Sequence, residues 1–460
     1  SATSAITNAT VNVKNNTITL AQGTNTGQTQ GISVGGVGGT GTTNITDNTI
    51  TGFTNTSPGT GGTVFGTVVS NAAGTTLNIT GNTFSNNQIA AGLFMISLQA
   101  SATAANVNIN NNTITNTTMT NGNAPTLISN TAPVTTAINI NNNTINGLTY
   151  AAANSAASVM ISNTAAGSGA SLSASGNIFQ NITYNVAATG AMTFISNTAL
   201  TPTTFNYNSN QFNNLTLNTT GNVTFFGAAG TLPATTVMNM NNNTIGTQFT
   251  KSGAGGAIVI RTSASSTPAG AVMNFQNNNF SNMTFSGVTT FSGYNDNDGG
   301  APTKVITGNT LSNINGGTGT ISVLYAGFNG TGTNISNNIV GPVTSQGAIT
   351  GITLAGSGTS TTQTLSNNTV TGLTSNGAGG AVIGISVSAA ASVGTTVTNN
   401  TITSLSSTSG NVTGLTSGAT VPTISGNTIS SLSSAGASSI VTGLGVTGGT
   451  TVIANNNLVH

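Results

Sequence analysis

The sequence predicts an all-β chain, a single solenoid domain spanning residues 1–460 in about 15 three-sided coils, and three observations carry that reading. First, one short phrase recurs fifteen times: a residue that tolerates left-handed backbone, then Asn, any residue, and a large apolar one. Its Asn is Asn16, Asn48, Asn82, Asn112, Asn143, Asn177, Asn210, Asn243, Asn278, Asn309, Asn338, Asn368, Asn400, Asn427 and Asn456, at spacings of 27 to 35 residues. Self-similarity at such a period marks stacked, quasi-one-dimensional architectures. Second, apolar residues flanking each Asn alternate with polar ones, as in a strand, and no stretch carries a helical period. Third, 36% of the chain is apolar and only 2% is charged, so there is material for a core and almost none for an ionic surface.

With each Asn as position zero, the elements follow in order. Position −1 is Asn nine times, Gly four times, and Asp47 and Ser209 once each. Asn, Gly and Asp enter the left-handed region at low cost, so a strand is expected to end near −2, turn sharply at −1 and restart from position zero. Position +2 is apolar in every copy, from Ile18 and Ile50 to Ile429 and Leu458. Positions +5 (Phe53, Leu148, Leu405), −3 (Ile79, Ile109, Ile424) and −5 (Leu77, Val107, Ile138) are commonly apolar too. A third strand shows at Val64–Val69, Gly92–Ile96, Ile258–Ile260, Ile321–Tyr325 and Val382–Val387, and three coils share Ile-Ser-Asn-Thr-Ala at 128–132, 161–165 and 195–199. Three strands and three corners per repeat describe a triangular coil. Position zero would then stack on itself at about 4.8 Å per coil, an internal Asn ladder. No cap is evident at either end, since the first phrase opens by Val11 and the last reaches Leu458.

The run Ile138-Asn139-Ile140-Asn141-Asn142-Asn143-Thr144-Ile145 resembles the right-handed parallel β-helix repeat of pectate-lyase-like and bacterial surface proteins, and the likeness runs from about Val11 to Leu458. It implies a right-handed parallel β-helix. It leaves function open, since that family includes lyases, hydrolases, adhesins and phage fibres. The nearly uncharged, Asn/Thr/Gly-rich form looks most like long secreted repeat proteins of bacterial surfaces.

Seven residues are charged: Lys14, Lys251, Arg261, Lys304, Asp47, Asp296 and Asp298, for a net charge of +1. That balance gives no electrostatic footprint for nucleic acid or an anionic membrane. No apolar run approaches the roughly 18 residues of a spanning helix, so membrane insertion is not expected. Glu and Cys are absent and His460 is the only His. Acid–base catalysis needs positioned carboxylates or imidazoles. The chain is therefore read as no enzyme, a polysaccharide lyase or hydrolase being the least favoured function, and no cofactor is implied. Asn295-Asp296-Asn297-Asp298-Gly299-Gly300 has oxygen ligands at alternating positions, which makes Asp296 and Asp298 weak calcium candidates. It lacks a downstream bidentate Glu, and a solvated turn is the simpler reading.

Asn-x-Thr triplets such as those at Asn15, Asn111 and Asn142 are formal N-glycosylation acceptors, but a ladder Asn followed by Thr generates them automatically. Thr-x-Thr at +1 and +3 in coils one, two, four, twelve and thirteen suggests an ice-binding face as an alternative function. The rows break at Ile178/Gln180, Gln211/Asn213, Asn279/Ser281 and Ile339/Gly341. An uncharged surface lacks the repulsion that keeps proteins apart, and uncapped ends invite head-to-tail stacking, a contact that yields filaments when it does not close. The expected role is thus structural and extracellular: a secreted surface fibre, matrix filament or adhesin stalk. Its expected partners are copies of itself, head-to-tail or lateral, and cell-surface or matrix glycans. The opening at Ser1 reads as a mature exported chain.

Overall fold

The computed structural model describes residues 6–23, 27–35, 37–55, 62–70, 75–99, 103–164, 171–199, 203–228, 232–262, 270–296, 302–327, 332–356, 362–388 and 393–460. The chain divides into two compact units, Ser1–Gly230 and Thr231–His460. Each is a parallel β-solenoid of three sheets, and among the described residues there is no helix.

In the first unit, one sheet begins Thr10–Lys14, Thr42–Thr46, Thr76–Thr80; the next begins Thr17–Gln22, Thr49–Asn55, Thr83–Ile89; the third begins Thr29–Val34, Thr63–Val69, Gly92–Leu98. Neighbouring strands within a sheet pair in parallel one repeat apart, as in Thr83↔Thr113 and Ile114↔Ile145. The second unit repeats the plan, with Val237–Asn241, Val272–Gln276 and Thr303–Thr307 opening its first sheet. Because pairing runs between coils, the 4.8 Å spacing typical of strands becomes the rise of the stack.

The corner read from the sequence is present. From Asn15 to Asn399, Asn residues at −1 have φ of 55–59°, and the glycines there, from Gly81 to Gly426, have φ of 66–70°. Where Gly takes the corner it lies against the corner side chain of the preceding coil: a Cβ on Gly176 would collide with Oδ1 of Asn142, and one on Gly81 with Oδ1 of Asp47. A second left-handed residue, at +4, is set inside the strands of the second sheet or, at Asn282 and Asn313, just before a strand of that sheet. Examples are Asn86, Asn116, Asn181 and Asn214 in the first unit and Asn282, Asn313, Ser404 and Ser431 in the second, all at φ of 49–61°. It inverts the alternation, so +2 and +5 both face inward, as in the in-out order of Thr113–Met119.

The interior is a set of like-on-like columns. Ile50, Phe84, Ile114, Ile145, Phe179 and Phe212 stack in register at +2, all fully buried or nearly so. Phe179 and Phe212 lie 5.2 Å apart and stacked, while Phe194 and Phe225 meet Phe212 edge-on at 5.1 and 4.8 Å. Such offset and edge-to-face pairs contribute beyond their buried area.

The fifteenth copy of the phrase is displaced by one residue. Asn457, not Asn456, continues the ladder, Asn456 takes the left-handed corner at φ 51°, and Val459 rather than Leu458 stacks on Ile429. The triplet Asn455-Asn456-Asn457 permits either alignment, and only the register with the preceding coil chooses between them.

Candidate functional site

The Asn ladder is continuous within each unit. In the first, Nδ2 of Asn16, Asn48, Asn82, Asn112, Asn143 and Asn177 each donates to Oδ1 of the next member at 2.9–3.1 Å, ending on Asn210. In the second, Asn243, Asn278, Asn309, Asn338, Asn368, Asn400 and Asn427 do the same at 2.8–3.0 Å, ending on Asn457. Within the run the other Nδ2 hydrogen goes to the −3 carbonyl of the preceding coil, as in Asn143 to Ile109 at 2.8 Å. Each Oδ1 also accepts the backbone N–H of the preceding ladder member, as Asn143 does from Asn112 at 3.0 Å. Two donors and two acceptor sites are all that an amide side chain has. A ladder Asn is therefore saturated, with no capacity left for a ligand.

A second internal ladder runs through the shared Ile-Ser-Asn-Thr-Ala phrase: Asn130 donates to Asn163 and Asn163 to Asn197, both at 2.8 Å and all three buried. Outside, Asn44, Asn78, Asn108 and Asn139 donate down to Asn12, Asn44, Asn78 and Asn108 at 2.8–2.9 Å, an exposed to half-buried row that the phrase did not reveal.

Asp296 departs from the expectation of a solvated acidic turn, whose residues 297–300 lie outside the described ones. Asp296 is the last residue of the strand Thr290–Asp296 and is fully buried. Its Oδ1 lies 3.4 Å from Nη1 of Arg261 and its Oδ2 3.2 Å from Nζ of Lys304, both of them buried as well. Tyr294 donates its hydroxyl to Oδ2 at 3.0 Å, and the Arg261 guanidinium lies 5.5 Å from that ring's centroid, within reach of a cation–π contact. Arg261 also donates to the carbonyl of Asn295 at 3.3 Å, and Lys304 to that of Gly327 at 2.5 Å. A carboxylate whose two oxygens are both taken by cations inside a core is no calcium ligand, and Asp298, the other candidate, lies outside the described residues. Asp47 stands at an exposed corner, and no three His, Asp or Glu side chains group together among the described residues.

The register explains how the cluster forms. Lys304 occupies the inward column of Met238 and Met273, directly paired with Met273, and Arg261 pairs with Tyr294 on the third sheet. Both side chains project into the same interior. Charges are almost never fully buried unless paired, and here pairing and carbonyl hydrogen bonds meet that condition.

Lys251 is a separate buried cation. Its Nζ donates to the carbonyls of Gly253 and Gly255 at 2.7 Å and reaches Thr289 Oγ1 at 3.4 Å. Burial lowers its pKa from 10.5 to about 8. Between those values the unfolded chain holds a proton that the folded chain has released, so stability rises with pH from about 8 to 10.5. Urea midpoints measured from about pH 8 to about pH 9, below the range where tyrosine ionises, should climb in the native protein and stay flat in Lys251→Met.

Tyr150 and Tyr184 stack inside the first unit with centroids 4.1 Å apart, and burial raises the pKa of both. Tyr207, at a −3 position, is buried as well. The chain matches no protein-family model and no curated protein sequence.

Proposed function

We infer that this chain is a structural element of an extracellular assembly, a surface fibre, matrix filament or adhesin stalk, related to the right-handed parallel β-helix repeat proteins of bacterial surfaces that its phrase resembles. The saturated Asn ladder carries this reading: the polar side chain that recurs at every coil is spent on coil-to-coil bonding. The charge cluster supports it, because Arg261, Asp296 and Lys304 are enclosed where no substrate reaches them. What faces outward is hydroxyl and amide, as in the row Asn12 to Asn139. Such a surface is insensitive to salt and pH and imposes little mutual repulsion.

Stacking is the proposed mode of assembly. In the last coil Val441, Ile453, Leu458 and Val459 are 46–54% exposed, whereas Val412 and Ile429, paired with Val441 and Val459, are fully buried. A further coil of the same register, from more of the same polypeptide or from a second copy, would cover them. Electron microscopy of the purified chain should show end-to-end filaments, and Val459→Lys should shorten them by placing a charge where an apolar column continues. Uniformly dispersed single particles at high concentration would rule out head-to-tail growth.

One observation favours a second reading. Thr17, Thr49, Thr83, Thr113 and Thr144 form an unbroken column of five in register, with Thr19, Thr51, Ser85 and Thr115 beside it. The third coil, Thr83-Phe84-Ser85, thus continues the hydroxyl face before it breaks at Ile178 and Gln211. If that face binds ice, the protein shows thermal hysteresis that Thr113→Lys abolishes while the melting temperature holds.

A further inference from the structure

We propose that the exposed corner asparagines of the Asn-Asn-Thr phrase are acceptors for N-linked glycan. The inference rests on export of the chain, which the structural reading also requires. In six copies the −1 residue is itself the Asn of an Asn-x-Thr triplet: Asn15, Asn111, Asn142, Asn242, Asn367 and Asn399. The phrase holds two asparagines with opposite fates. The zero-position Asn is held by the ladder, and from Asn48 to Asn427 it is buried. The −1 Asn is exposed in all six, held at φ of 56–59° by the corner. Among the described residues no hydrogen bond engages these six side chains.

The Thr that completes each triplet, at +1, is half-buried or exposed on the outer face. At Asn142 and Asn399 the amide oxygen sits over Gly176 and Gly426 of the following coil, which fixes the side chain's orientation at the corner. A sugar on Nδ2 would therefore displace no side-chain hydrogen bond. Four of the other triplets lack this property. Asn44, Asn78, Asn181 and Asn214 also begin Asn-x-Thr, but their Nδ2 groups donate to Asn12, Asn44, Asn146 and Asn181 at 2.7–2.8 Å.

The reaction is transfer from a polyprenyl-pyrophosphate-linked oligosaccharide. The Asn Nδ2 forms a bond to the anomeric carbon, the carbon–oxygen bond to the pyrophosphate breaks, and the polyprenyl pyrophosphate departs as the amide loses one proton. No electrons are exchanged. The corner column borders the Thr column of the first unit, so glycan at Asn111 or Asn142 would keep a flat lattice from seating there; the modification and the ice-binding reading exclude each other at that place.

The full chain, secreted from a host that performs N-linked glycosylation, should be deglycosylated enzymatically in heavy-oxygen water and mapped by peptide mass spectrometry. Label is expected at corner asparagines such as Asn111, Asn142 and Asn399. Thr113→Val, which keeps a β-branched residue in the strand, should remove it at Asn111 alone. The proposal is overturned if label appears only at Asn44, Asn78, Asn181 or Asn214. It is equally overturned if all corners are unlabelled while a control Asn-x-Thr appended to the same secreted chain is occupied. Occupancy is read from mass and filament formation from micrographs, so either idea can fail without the other.

Discussion

Asp296→Ala is expected to destabilise the protein by about 3–5 kcal/mol, a value typical of removing one partner from a buried pair. The loss comes from what remains: Arg261 and Lys304, both buried, would face each other across the place of a carboxylate they share. Two controls separate this account from a packing defect. Asp296→Asn keeps the volume and should cost nearly as much, because the amide cannot neutralise two cations. The triple variant Arg261→Met, Asp296→Leu, Lys304→Met removes the charges together and should return stability to the native level or raise it by up to about 4 kcal/mol. Salt should change none of these differences appreciably, since screening acts on exposed charges far more than on buried ones. Urea midpoints of the four proteins at low and high ionic strength test the set. A small effect of Asp296→Ala, removed by salt, would show that the cluster is solvated.

The same cluster marks where the sequence could be read and where it could not. The repeat, corner, ladder and inward positions +2, +5 and −3 were legible because each is a local rule written many times over. The left-handed corner needs Asn or Gly, and stacking rewards the same side chain in every copy. The burial of charge was not legible from composition, which treats ions as surface. A positional signal did exist. Lys304 stands at −5, the column of Leu77, Val107 and Ile138, and Arg261 directly follows the apolar run Ile258-Val259-Ile260. Nothing local places Arg261, Asp296 and Lys304 around one point, since that depends on how two neighbouring strands of the third sheet and one strand of the first project into one interior. The left-handed residue at +4 had a visible trace as well. Apolar positions at +2 and +5 are three apart, which a plain strand cannot bring to one face. The displaced fifteenth copy shows the converse limit: in Asn455-Asn456-Asn457 every local rule is satisfied twice, and pairing with Ile429 decides.

Replacing a central ladder member should cost as much as opening the ion cluster. Asn143→Ala deletes one amide and strands four partners. The N–H and Nδ2 of Asn112 lose their acceptor, and the carbonyl of Ile109 and Oδ1 of Asn177 lose a donor. A buried polar group left unsatisfied costs about 1–3 kcal/mol. Some of the four retain a second bond or relax, so the expected loss is about 3–6 kcal/mol. Asn143→Asp is the sharper test because it keeps shape and acceptors while removing both donors. Its carboxylate would face the Ile109 carbonyl and the Asn177 amide oxygen, so it should be at least as damaging as Ala at neutral pH. Part of the loss should return at acid pH, where the protonated acid regains one donor. Asn44→Ala, in the exposed row, should change stability by about 0.5 kcal/mol or less. In a solenoid each coil contacts mainly its neighbours. Amide exchange should therefore quicken most at Asn112, whose N–H loses its acceptor, and in the coils adjoining Asn143, while distant coils keep their protection. Exchange that rises equally along the whole first unit would instead show that the ladder acts as one cooperative element, with each Asn holding the stack rather than its own corner.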